Sequence, residues 1–168
     1  MTGYRTDRAW SDRFIPSIKQ IVGPHLLVPA TLELDAREAT DLLVFTARDV
    51  RIAARMRSTE YAERYPFDFT IRSLRDSGAE TELSKIVSGW GDWLFYGFDG
   101  GEWNACPWWL LDLNVFRRSL NFHMAGIKKI KFQINPNGDG THFAAYDIRS
   151  FPSELVIATS RDTREVAA

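Results

Sequence analysis

The chain has 168 residues, room for one ordinary domain and too little for two comfortable ones. Hydrophobic residues make up 45% and charged residues 26%, a balance that excludes an intrinsically disordered chain. Lys and Arg total 21 against 22 Asp and Glu, a net charge of -1, which excludes a polycation acting through bulk charge and leaves room for a local basic face. The single cysteine, Cys106, rules out an internal disulfide and a four-thiolate zinc site, and it fits a reducing cytoplasm.

Residues 1–13 are polar and charged and lack the apolar stretch of a secretory signal. No window approaches eighteen consecutive apolar residues, so no membrane-spanning helix is expected. Residues 1–159 read as a single domain, and the small, polar residues 160–168 as a fraying tail.

In chain order, Trp10, Phe14, Ile18 and Ile21 mark a helix over 8–22, bent or delayed by Pro16 and ended by Gly23-Pro24. Residues 26–34 read as extended. Three strand-like runs follow. Residues 42–45 are a dense apolar run. Residues 51–57 alternate, with Ile52, Ala54 and Met56 on one face and Arg51, Ala53, Arg55 and Arg57 on the other. Residues 67–72 alternate too, with Phe67, Phe69 and Ile71 opposite Asp68, Thr70 and Arg72. Together these runs suggest a sheet meander with one buried side, interrupted by a short helical or looped piece over 60–65. Glu80 or Thr81 opens a helix striped by Leu83, Ile86 and Val87 and stopped by Gly89 and Gly91. Strands over 92–98 and 108–113, a helix over 114–125, a hairpin of 129–134 with 141–148, and a last strand over 155–158 complete the reading. The expected fold is α/β or α+β, a central mixed sheet flanked by helices.

Charge is concentrated. Residues 48–75 hold seven Arg against four acids, a local balance of +3 that leaves -4 for the rest. Arg51, Arg55 and Arg57 share one strand face, and Arg72 can join them from the next strand. Guanidinium forks match phosphate oxygens, so this row is a candidate phosphate-binding surface. Trp90, flanked by Gly89 and Gly91, is a candidate base-stacking ring. Lys128, Lys129 and Lys131 form a second small basic cluster.

The stretch Thr40-Asp41-Leu42-Leu43-Val44-Phe45, a turn, and then Arg51-Ile52-Ala53-Ala54-Arg55-Met56-Arg57 resembles the core of PD-(D/E)XK nucleases. In that family an Asp opens one strand and a neighbouring strand ends in an acid-x-Lys motif. The resemblance covers about residues 8–98 and implies a restriction-endonuclease-like core. Asp41 would be the first metal-binding carboxylate. The sequence departs from the family at Arg55 and Arg57, which stand where the second acid and the Lys belong, and a cation does not ligate Mg2+. Asp68 and Glu82 are the candidate replacement acids, with Asp92 of lower weight, and Lys85 is the candidate replacement cation. The chemistry so implied is Mg2+- or Mn2+-assisted phosphodiester hydrolysis on nucleic acid, DNA more than RNA, and a homodimer is compatible with it. The alternatives are a nuclease-fold binding module without metal, or a protein–protein adaptor or inhibitor using Trp90, Trp93 and Trp103. No phosphate-loop or dinucleotide-binding motif is present, and the three His are too scattered for a zinc site.

Overall fold

The structure, a computed structural model, describes residues 2–29, 42–44 and 50–162. Its helices are α1 (Thr2–Asp12), α2 (Ile15–Val22), α3 (Glu60–Arg64), α4 (Glu82–Val87) and α5 (Leu113–Met124). Its strands are β1 (Leu27–Pro29), β2 (Leu42–Val44), β3 (Ile52–Arg57), β4 (Asp68–Arg75), β5 (Trp93–Asp99), β6 (Ala105–Asp112), β7 (Phe132–Pro136), β8 (Thr141–Asp147) and β9 (Val156–Thr159). The fold is α+β, with one mixed four-stranded sheet in the order β3-β5-β6-β9 and one antiparallel sheet in the order β4-β8-β7. A short antiparallel pair joins β1 and β2.

The three runs read as a meander are not neighbours. β2 pairs with β1, β3 runs parallel to β5, and β4 pairs with β8. Alternation within a run fixes which residues share a face but carries no information about the partner strand. The faces themselves are as the alternation predicts. Met56 packs with Phe14, Ile18 and Val22 of α2 and its approach, whereas Ala53 packs against the opposite core. The helix expected over 8–22 is two helices, split at Phe14, which caps α2 ahead of Pro16.

β5 and β6 are the inner strands of the mixed sheet and are buried on both faces. Phe95 and Leu110 face α2, while Leu94, Tyr96, Phe98, Trp109 and Leu111 face the second core. That core also takes Phe69 and Ile71 of β4, Ala144 and Tyr146 of β8, and Leu113 and Phe116 of α5. Gly97 is required for packing: a Cβ there would lie 2.8 Å from the Phe95 ring and 3.0 Å from Met56 Sδ. Helix α4 is set by a capping box, with Thr81 Oγ1 accepting from the Ser84 amide and Ser84 Oγ from the Thr81 amide. Asp112 caps α5 with its side chain alone, accepting from the Asn114 and Val115 amides.

Phe69 is the keystone of the second core. It is fully buried and meets the rings of Tyr96, Phe116, Tyr146 and Phe151. Phe69→Ala is expected to lower stability by about 3–5 kcal/mol through the cavity it leaves, read as a lowered midpoint in urea denaturation with an unchanged slope.

Candidate functional site

The structure divides the arginine row among four surroundings. Arg51, at the start of β3, donates from its amide (2.9 Å) and Nε (3.2 Å) to Oδ2 of the buried Asp92, and from Nη2 to Gly89 O (3.3 Å). Asp92 is therefore engaged in fixing the start of β3. Arg55 donates from Nη1 to Glu82 Oε2 at 2.6 Å, in a pair whose side chains are 20% and 31% exposed. The same Glu82 oxygen accepts from the Arg72 amide at 3.2 Å, so this carboxylate joins β3, β4 and α4. The Arg72 side chain lines an open depression of about 540 Å³ with Arg75, Asp76 and Asp139. Arg57 is the fourth case. Its guanidinium lies 4.4 Å from the ring centre of Tyr61, and among the described residues no carboxylate lies within ion-pair distance of it.

Asp41 lies outside the described residues. Of the other candidate metal ligands, Glu82 is held by Arg55. Asp68 stands opposite Asp147 on β8, at the far end of β4 from Arg72, four residues or about 13 Å along the strand. Asp68 and Glu82 are thus not brought together, and among the described residues no group of three or more His, Cys, Asp or Glu is arranged to hold a metal ion. Lys85 is exposed and reaches Glu80 at 4.0 Å rather than Glu82.

Arg57 stands at the edge of a cleft of about 460 Å³, within the ordinary size range of ligand pockets. Helix α3 supplies Tyr61 and its C-cap position Tyr65, their rings 6.3 Å apart and 20° from parallel. Thr70 and Tyr96 form the floor and join the two sheets through a hydroxyl–hydroxyl hydrogen bond of 3.3 Å. Gln133, Asn135 and Asn137 line the opposite wall. These amides follow from the period of two in β7, which places Gln133 and Asn135 opposite Ala145 and Phe143 on the cleft face and Phe132 and Ile134 on the other. The sequence signals were present in Tyr61-x-x-x-Tyr65 and in the polar alternation after Lys131. Nothing local showed that they converge with Arg57.

Burial pushes the Tyr96 phenol above its ordinary value, opposed by the Thr70 hydrogen bond and the Arg57 and Arg55 charges. Burial, and then the Asp147 charge, push the Asp68 carboxyl upward, opposed by Arg149. Burial acts upward on Asp147 as well, but its hydrogen bonds from Arg149, at 2.9 and 3.0 Å, outweigh it and hold the carboxyl low.

Trp90 sits elsewhere, on the turn after α4, with 62% of its surface exposed. Gly89 and Gly91 take φ values of +95° and +77°, the left-handed region in which a side chain is strained. Arg117 binds the turn from α5, donating to the carbonyls of Ile86 (3.1 Å), Trp90 (3.4 Å) and Gly91 (3.2 Å). The Arg51 guanidinium lies 5.7 Å from the indole centre. Trp93 packs against the core under α2, and Trp103 lies over Phe14 and Arg13. No family model matches the chain, and no curated protein and no solved structure matches it. The class that stands is an α+β protein with a polar, tyrosine-walled cleft at the junction of two sheets.

The raised Asp68 carboxyl stabilises the folded chain below its ordinary value of 3.8, and that contribution is lost as pH rises through the higher folded value. Asp68→Asn is therefore expected to raise the melting temperature at pH 7, with the gain fading toward pH 3, in thermal melts of both proteins across that range.

Proposed function

We propose that the protein engages nucleic acid by taking a nucleotide unit of an unpaired strand into the Arg57 cleft. The observation that carries this reading is a guanidinium without a carboxylate partner among the described residues, at the edge of a cleft walled by tyrosine rings and side-chain amides. A base offers a planar face for Tyr61 or Tyr65 and a polar edge for Gln133, Asn135, Asn137 or Asp68. Arg57 supplies the fork for one phosphate. A single such cation in the cleft suits one nucleotide better than a duplex backbone.

Binding is favoured over hydrolysis because Glu82 is committed to Arg55 and Asp68 stands apart from it. The PD-(D/E)XK kinship enters this proposal as that of a non-catalytic member, acting in the cytoplasm without Mg2+ or Mn2+. The exposed, unpaired Cys106 is compatible with that compartment. Among the described residues no helix is long and apolar enough to cross a membrane.

Fluorescence anisotropy with labelled single-stranded DNA, single-stranded RNA and duplex DNA tests the reading. The single strands are expected to bind more tightly than the duplex, with affinity unchanged by EDTA. Arg57→Ala is expected to cost about 1.5–3 kcal/mol, roughly tenfold or more in affinity, and to flatten the salt dependence. Tyr61→Ala is expected to cost about 1–3 kcal/mol. Binding abolished by EDTA would favour the hydrolytic reading with Asp41. Binding indifferent to Arg57→Ala would remove the cleft from the account.

A further inference from the structure

The outer edge of β7 has no strand paired to it among the described residues, because the sheet order ends β4-β8-β7. The direction of its free backbone groups follows from the hydrogen bonds at its two ends. The Asn137 amide donates to Thr141 O (2.8 Å), and the Asp147 amide donates to Lys131 O (3.1 Å). Antiparallel ladders alternate hydrogen-bonded and non-hydrogen-bonded pairs, so within the printed register Gln133 and Asn135 turn their backbone groups inward to β8. Phe132 and Ile134 therefore present N–H and C=O outward, and Pro136 presents C=O alone.

The side chains beside this edge are apolar and incompletely covered. Phe132 is 43% and Ile134 56% exposed, on the face of the sheet that elsewhere lies under α5. The end of α5 reaches the same place, since the His123 and Phe132 rings are 5.7 Å apart. Met124 and Ile127, immediately beyond, are 84% and 71% exposed. An uncharged edge with free backbone groups and an apolar face is a template for another strand.

We infer that β7 pairs antiparallel with β7 of a second copy of this chain about a two-fold axis at Ile134, extending the three-stranded sheet to six. The sequence is self-complementary in that register. Ile134 faces its own equivalent, Phe132 faces Pro136, and Gln133 faces Asn135, so apolar meets apolar on one side and amide meets amide on the other. The Phe132 amide donates to the partner's Pro136 carbonyl, an acceptor that proline keeps. Because Gln133 and Asn135 line the cleft face, the pairing also sets two clefts side by side across the axis.

Light scattering coupled to size exclusion, over a hundredfold range of protein concentration, reads this directly. The expected mass is that of two chains. Ile134→Lys is expected to give the mass of one chain while circular dichroism and the melting curve stay those of a folded protein. Ile134→Cys in a Cys106→Ser background is expected to link two chains by a disulfide under mild oxidation, because residue 134 faces its own equivalent at the axis. A monomer at every concentration, as when another part of this chain covers the edge, overturns the inference. So does a dimer indifferent to Ile134→Lys, or one that Ile134→Cys fails to cross-link. Nucleic-acid binding is not the readout, so this outcome is separate from that of the cleft.

Discussion

The contact between Arg55 and Glu82 organises the functional surface. At 2.6 Å it ties the first turn of α4 to β3, and the same carboxylate oxygen receives the Arg72 amide of β4. Partly withdrawn from water, such a charge-assisted bond holds its partners in one arrangement, and removing either member leaves the other charge without compensation. It also cuts the arginine row in two. Arg51 is left with Asp92 and the Trp90 turn on one side, and Arg57 with the tyrosines on the other. A surface that reads in sequence as one basic face is, in the fold, a structural brace with a guanidinium beyond it that has no carboxylate partner among the described residues.

Much of the framework was legible from local rules. Alternation assigned the faces of β3 and β4 correctly. Gly89 and Gly91 marked the stop of α4, and the capping residue Thr81 marked its start. The hairpin of β7 and β8 followed from its asparagine- and glycine-rich turn. What failed was long-range: β2, β3 and β4 follow one another in the chain yet belong to three different sheets. Strand pairing depends on which hydrophobic faces must be shared, here a core built from β4, β5, β6, β8 and α5 together, and no single window of sequence contains that information.

The candidate site was legible in the same uneven way. Arg57 was singled out, but as a member of a phosphate-binding row with Arg55 and Arg72, from which it is separated because Glu82 holds Arg55 and Arg72 lines a different depression. Tyr61, Tyr65, Gln133 and Asn135 were not singled out. Each lies on an unremarkable segment, and each matters only because α3, the β4 floor and β7 meet around one space. Trp90 was singled out by its flanking glycines, and the structure leaves it largely exposed where burial in a core is commoner for a tryptophan. The device that holds it there, Arg117 crossing from α5 to three carbonyls, has no sequence motif.

The central claim is that a nucleotide unit enters at Arg57. Nuclear magnetic resonance of the 15N-labelled protein, titrated with a short single-stranded oligonucleotide, tests it most directly. The account predicts that the Arg57 side-chain Nε and the amides of Tyr61, Thr70, Gln133 and Asn135 shift together and saturate along one binding curve, while Arg55 stays fixed against Glu82. Shifts confined to the Trp90 turn and Arg51, or none at all, would contradict it.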